Sequence, residues 1–435
     1  MGQEKLVEVK NLLSHPFLFM QKIMVLAILA LTFPFTPIPS DDGSHNCIRE
    51  WWNVDAFIRT NDTNKNYSIT ASFEYEKETP ASNLFFTLFN LDEKRMYDLG
   101  CYNAPINELK HSKDNLNLSF KKSWMKGEYP HYTIHLENKG VIVEMYIEAE
   151  GEPHFVAEDA GGILPVGLGY YRYLFIPRCK AWGWLQLEGK KEEFTGVAYY
   201  EHVWGNWSYN NPLRNASFET ILGYAKLLKW WWKNKSISFN SITISSDNPL
   251  SYDWAWANFD NGWNIFYGAI PFWLNEIPFC ILYLFNGEKT IEFGKISYEY
   301  IDGIFVEGTY IPTKIKVVAE GEGKLNLFME MNNTPHIYTS NLTSFYWKKL
   351  ILYECPGKIY GWYDNGEKIN LTGKCEIEIE RQVSLLEYFM VKIAFYVKPF
   401  GIDYIFFSYL FNIIFSLQFR LFPFYLSFYI SHIRY

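Results

Sequence analysis

Between about residues 45 and 383 the chain is a succession of short segments in which apolar and polar positions alternate. Residues 67–74 (YSITASFE), 132–136 and 141–147 keep the two-residue period of strands buried on one face. Asn261-Gly262, Asn286-Gly287 and Asn365-Gly366 each separate two such segments. Asn-Gly is the pair a type I′ hairpin turn favours, because both central residues take positive φ. Hairpins at this density predict an all-β protein built from two antiparallel barrels or sandwiches. A weak internal echo also divides the chain in two: residues 51–57 (WWNVDAF) and 254–260 (WAWANFD) each precede a turn and a strand. One stretch departs from the pattern. Residues 217–235 (SFETILGYAKLLKWWWKNK) read as a helix with Ser217 as N-cap.

The two ends have a different character. Residues 23–35 (IMVLAILALTFPF) are uncharged and apolar, follow Lys22, and are shorter than the roughly 20 residues a membrane span needs. That suits a signal peptide or signal anchor within residues 1–44. Residues 400–419 (FGIDYIFFSYLFNIIFSLQF) carry one charge, Asp403, and are long enough to span, so residues 384–435 are expected to be an apolar tail that anchors the chain. Arg420 and Arg434 would then lie on the cytoplasmic side. The Trp230-Trp231-Trp232 cluster between Lys229 and Lys233 has the aromatic-plus-lysine composition of membrane-interface segments. Packing on the second domain is its equal alternative.

Composition narrows the function classes. With 49% hydrophobic and 20% charged residues the chain can bury a large core. Its net charge of −8 and the lack of a basic stripe argue against nucleic acid as a partner. Aromatics make up 19% of the chain, which suits strands and also an aromatic-lined ligand site. Cys47, Cys101, Cys179, Cys280, Cys355 and Cys375 are dispersed, with no C-x-x-C; Cys355–Cys375 is the expected pair. Sequons begin at Asn61, Asn66, Asn117, Asn206, Asn215, Asn234, Asn332, Asn341 and Asn370 and avoid both apolar ends, as a glycosylated exterior domain would. No metal is expected: His131 and His135 are four apart on a strand, about 13 Å along one face.

Two stretches carry a family resemblance. Arg49-Glu50-Trp51-Trp52 with its following turn and strand resembles the E-W-W opening of the carotenoid hydratase (hydroxyneurosporene synthase) and AttH-like family. Residues 195–205 (TGVAYYEHVWG) resemble that family's acid-His-x-Trp-Gly motif. Residues 253–262 are similar to the strand and turn that open its second domain, and residues 361–380 to the segment that closes it. The likeness covers about residues 47–383 and implies two tandem lipocalin-like barrels, expected at 45–212 and 213–383. Asn53 stands where the family usually has Tyr, Glu201 where it has Asp, and the 217–235 segment lengthens the spacing from Trp204 to Trp254.

The resemblance implies a hydratase, isomerase or cyclase working on a long apolar molecule, an isoprenoid or other lipid, without a cofactor. Protonating an isolated C=C bond needs an acid kept neutral by burial and π faces that shelter a cation. Glu201, His202, Trp204 and Asp253 are the candidate catalytic residues. Trp51, Trp52, Tyr200, Trp207, Tyr252 and Trp256 are the candidate ligand-binding residues. Neighbours on a strand point to opposite faces, so only one of Glu201 and His202 can face a barrel interior, while His202 and Trp204 share a face. Two other readings stand beside this one: a lipid carrier without turnover, and an extracellular glycan-binding surface protein. The expected location is the membrane, with the main domains outside the cytoplasm.

Overall fold

The computed structural model describes residues 39–158, 162–211, 213–234, 241–245, 251–269, 280–344, 347–384, 389–397, 415–421 and 424–432. The 23–35 run lies outside them, as does most of the 400–419 stretch.

Two curled antiparallel sheets, one after the other in the chain, form the body. In the first, β1 (Arg49–Thr60) lies between β2 (Asn66–Glu76) and β5 (Lys190–Asn206). Beyond β5 come β4 (Gly169–Leu187), β3 (Val141–Ala149) and then His131–Asn138 and three shorter strands. The second sheet repeats the plan. Its opening strand β6 (Tyr252–Phe259) pairs with its closing strand β8 (Lys368–Ser384), which pairs in turn with β7 (Trp347–Asp364). The internal echo thus marks two equivalent strands, each of which begins a sheet and is paired with that sheet's last strand. This is the tandem lipocalin-like, all-β architecture expected from the sequence.

Each sheet curls around its own apolar core. Trp52, Phe73, Phe86 and Phe120 lie in the first, and Tyr267, Leu325 and Ile377 in the second. A third cluster, with Phe57, Phe175, Tyr199, Trp256 and Phe266, glues the two sheets together. Full burial of one such side chain contributes about 1.5–3 kcal/mol, so the inter-sheet layer is a substantial interface. Trp256 belongs to it: the ring stacks on Phe57 and its Nε1–H donates to the Pro177 carbonyl at 2.9 Å.

The turns differ from the type I′ expectation. Gly262, Gly287 and Gly366 take positive φ, but their preceding asparagines do not. Asn261 and Asn286 instead use Oδ1 to accept backbone N–H groups two or three residues on, closing Asx-type turns. The expected Cys355–Cys375 bond is also absent, and all six thiols are free. Cys355 faces Ile377 across the ladder and Cys375 faces Gly357, so the two are offset diagonally and pack into the second core as apolar groups.

Helix α1 (Phe218–Asn234) matches the exceptional segment, and the Thr220 N–H donates to Ser217 Oγ at 3.2 Å, the N-cap bond. Tyr224 and Thr220 anchor it on the loop before β4 through the carbonyls of Gly167 and Leu168. The side chains of Trp230, Trp231 and Trp232 lie outside the described residues. Phe389–Val397, Phe415–Leu421 and Phe424–His432 form a small separate sheet with Ser241–Ser245. Among the described residues no helix is long and apolar enough to cross a membrane, a statement that does not extend to strands.

Candidate functional site

The β1–β5 pairing decides where the chemistry goes. Trp52 lies opposite His202 and Asn53 opposite Glu201. Because side chains alternate, Glu201 and His202 leave the sheet in opposite directions. Trp51, Asn53, Asp55 and Glu201 face the second sheet, whereas Trp52, Tyr200 and Trp204 face the first sheet's hollow. On β6 the same rule sends Tyr252, Trp254 and Trp256 toward the first sheet, while Asp253 lies on the side of Ala255 and Ala257, inside the second.

Between the sheets lies a cleft of about 200 Å³. One part of its wall is aromatic, from Trp51, Trp207, Tyr171, Tyr173, Trp254 and Phe266. Another is acidic, from Asp55, Glu74, Glu201, Asp253, Glu354, Glu378 and Glu380. Among the described lining residues the only guanidinium or ammonium is that of Arg49, which is bonded to Glu76 and lies over the Tyr209 ring at 4.4 Å. So many carboxyls in so dry a space cannot all be ionised.

Glu201 is fully enclosed at the aromatic side. Trp51 Nε1–H donates to Oε1 at 2.9 Å, and the Tyr199 hydroxyl at 2.8 Å and the Tyr173 hydroxyl both donate to Oε2. Burial raises its pKa, and the three donated bonds only partly offset that. Across the cleft, burial carries Glu380 up to about 8 against the hydrogen bond from Tyr209. Glu378, bonded by Tyr252, and Asp55, bonded by Asn53, are also driven well up, first by burial and then by neighbouring carboxylates. Burial thus favours the protonated form of these carboxyl groups, and Glu380, raised to about 8, is mostly protonated at neutral pH.

His202 belongs to a second cluster, in the first sheet's hollow. The segment 39–47 enters that hollow as a plug, with Gly43 so close to the strand-linking loop that a Cβ there would stand 2.2 Å from the Lys113 carbonyl oxygen. Asp42 accepts from Tyr132 and Tyr200, each at 3.0 Å, and its carbonyl accepts from Trp52 Nε1 at 3.1 Å. His202 is stacked on Trp52, with centroids 4.7 Å apart, and lies beside Trp204 at 4.6 Å. Its Nε2 is 2.9 Å from Glu50 Oε1. Burial opposes charge on Glu50, but bonds from His202, His45 and Tyr75 outweigh it and hold the pKa near 2.

Asp253 lines the cleft on the side of the second sheet, where its carboxylate pairs with the buried Arg381, 2.6 Å away, and accepts from Tyr300. The structure therefore sets His202 apart from Glu201 and Asp253, which both line the cleft. It groups Glu201 with Trp51, Trp207 and Tyr252 around the cleft, and His202 with Trp52, Tyr200 and Trp204 in the hollow. Tyr173, Tyr199, Asp55, Glu378, Glu380, His45 and Glu50 were not singled out as site residues from the sequence. The run 376–380 (EIEIE) did carry a signal, since its alternation puts three carboxyls on one face.

No family model matches this chain, and no curated protein matches it in sequence. Solved structures do match in fold. A protein assigned as AttH from Nitrosomonas europaea aligns with TM-score 0.52 and 15% identity over 79% of this chain and 96% of its own. Kievitone hydratase from Nectria haematococca aligns with TM-score 0.55 and 14% identity over 80% of this chain and 93% of its own. At these identities the likeness establishes the shared fold, and it agrees with the resemblance read from the E-W-W and His-x-Trp-Gly segments.

Proposed function

We propose that the inter-sheet cleft binds an apolar, unsaturated small molecule of the isoprenoid or lipid class, and that Glu201 adds a proton to it. The carrying observation is a buried carboxyl group at the aromatic wall, its pKa raised by burial, held in place by Trp51, Tyr173 and Tyr199. Its proton passes to one alkene carbon, and the cation left on the other is sheltered by the π faces of Trp51 and Tyr173. Water then adds to the cation and returns a proton to the Glu201 carboxylate, so the net reaction is addition of water. Attack of a second double bond on the same cation, followed by loss of a proton from the cyclic cation to the Glu201 carboxylate, would give cyclisation; loss of a different proton from the first cation would give isomerisation. That one solved neighbour is named a hydratase accords with this chemistry.

The location is part of the same proposal: an extracytoplasmic, membrane-associated protein. Asn61, Asn117, Asn332, Asn341 and Asn370 are exposed, as glycosylation requires. Leu213, Phe218 and Ile221 are exposed beside or on α1, whose base rests on the Leu164–Val166 strand that lines the cleft. A helix seated at a lipid surface would bring an apolar ligand directly to the cleft. The free thiols require no oxidising compartment, so the location rests on the sequons and the apolar ends.

Titration with a fluorescent polyene fatty acid tests the binding. Quenching of the cleft tryptophans, saturating at one molecule per chain, is expected in both the wild type and Glu201→Gln. Turnover of a bound polyene should be lost in Glu201→Gln alone; a carrier would show no turnover in either. Absence of saturable quenching would sink the proposal and favour the glycan-binding reading.

A further inference from the structure

The cluster around His202 has a use of its own, separate from the cleft. His45 Nδ1 and His202 Nε2 each lie 2.9 Å from the same oxygen, Glu50 Oε1, and all three atoms fall within 4.8 Å of one another. His202 Nδ1 is directed at the Asp41 carbonyl, which can only accept, so that nitrogen carries the hydrogen. With Nδ1 so engaged, Nε2 is the ring nitrogen that faces the Glu50 carboxylate. Glu50 Oε1 also accepts the His45 backbone N–H at 2.9 Å, so ligand atoms of all three residues converge on one point that a shared cation could occupy.

The surroundings have the form of a metal site's outer shell. A backbone carbonyl fixes the His202 tautomer, and the Tyr75 hydroxyl donates to Glu50 Oε2 at 2.6 Å. Asp41 Oδ1 lies 3.9 Å from His45 Nε2. Both rings are clamped by stacking: His45 on Trp204 at 4.1 Å and His202 on Trp52 at 4.7 Å. Donor atoms around a tetrahedral ion with bonds of about 2 Å stand roughly 3.3 Å apart, so the two 2.9 Å contacts need to open by only a few tenths of an ångström. Glu50 and His202 are buried, while the His45 side chain is 27% exposed, which leaves a way in from solvent.

We propose that His45, Glu50 and His202 bind a divalent first-row transition ion, with zinc the best match to two imidazoles and one carboxylate. The ion would tie the 39–47 plug to β1 and β5, since the three ligands come from those three elements. Its effect would be to close the first sheet's hollow from within.

Equilibrium dialysis of the chelator-stripped full chain against zinc, with metal analysis, tests this. One zinc per chain is expected for the wild type, with at least tenfold weaker binding in His45→Ala and in Glu50→Gln. Cobalt(II) should give intense visible bands of low coordination number in the wild type and lose them in His45→Ala. His45 is the partly exposed ligand, so its variant is chosen to keep the fold, with near-ultraviolet circular dichroism as the check; it carries the test alone if Glu50→Gln unfolds. No zinc uptake by the wild type, or equal uptake by the wild type and folded His45→Ala, would overturn the proposal. In that event protons on the rings fill the role given to the ion.

Discussion

Glu380 offers a quantitative handle on the acidic wall. Its carboxyl is buried, accepts from Tyr209 at 2.8 Å, and has a pKa raised from 4.5 to about 8. Between those values the folded chain holds a proton that the unfolded chain has released, so stability must fall as pH rises. Integrated from pH 5 to pH 8, this one group removes about 3–4 kcal/mol. At roughly 2 cal/mol/K of unfolding entropy per residue over the two sheets, that is a drop in Tm of about 5 °C. Glu380→Gln keeps an acceptor for Tyr209 and abolishes the titration. Its stability should therefore fall less steeply than the wild type's across this window, by the same 3–4 kcal/mol. Asp55 slopes the same way in both chains, and Glu378, which the Glu380 charge helps to raise, slopes a little less in the variant, in the same direction as the main effect. Glu50, held near 2, loses its contribution only below about pH 4.5, outside the window. Guanidinium unfolding at pH 5, 6.5 and 8, followed by tryptophan fluorescence, supplies the curves. Parallel pH profiles for the two proteins, or wild-type stability that rises with pH, would refute the reasoning.

Three further outcomes follow from named contacts. Asp253→Asn leaves the Arg381 guanidinium buried without its counter-charge and should cost about 3–5 kcal/mol in the same unfolding assay; a loss under 1 kcal/mol would mean that the pair is not isolated from water. Gly43→Ala forces a methyl against the Lys113 carbonyl, so the 39–47 plug should loosen at a cost of about 1–3 kcal/mol and become sensitive to limited proteolysis, with no change if the plug can shift freely. Trp51→Phe deletes an N–H donor that favours the Glu201 carboxylate and should carry its neutral C=O infrared band to higher pH; an unaltered titration would show that the indole does not hold the carboxylate.

Much of the fold was legible because alternation at period two over-determines a strand, and the two echoing segments open equivalent sheets. Ser217 announced its helix through a local bond. The turns were misread in detail, since Asn can satisfy an Asx turn as readily as it can take positive φ. The site was legible only in part. Face alternation correctly separated Glu201 from His202, but nothing local could say that the outer face of one sheet is covered by the other. For that reason nothing in 376–380 tells that its three carboxyls are buried, although Ser68 of the first sheet bonds Glu376 and Tyr209 bonds Glu380. The His45, Glu50 and His202 cluster is likewise invisible, because one ligand is more than 150 positions from the others.

The central claim is that Glu201 protonates an apolar molecule held between the sheets. Native mass spectrometry of the full chain as purified, with the released small molecules identified, tests it most directly when wild type and Glu201→Gln are compared. The account predicts one apolar molecule per chain in both, with the wild-type species heavier by one water than that trapped by Glu201→Gln. The same molecule in both proteins would contradict the proton transfer, and no apolar molecule in either would contradict the binding itself.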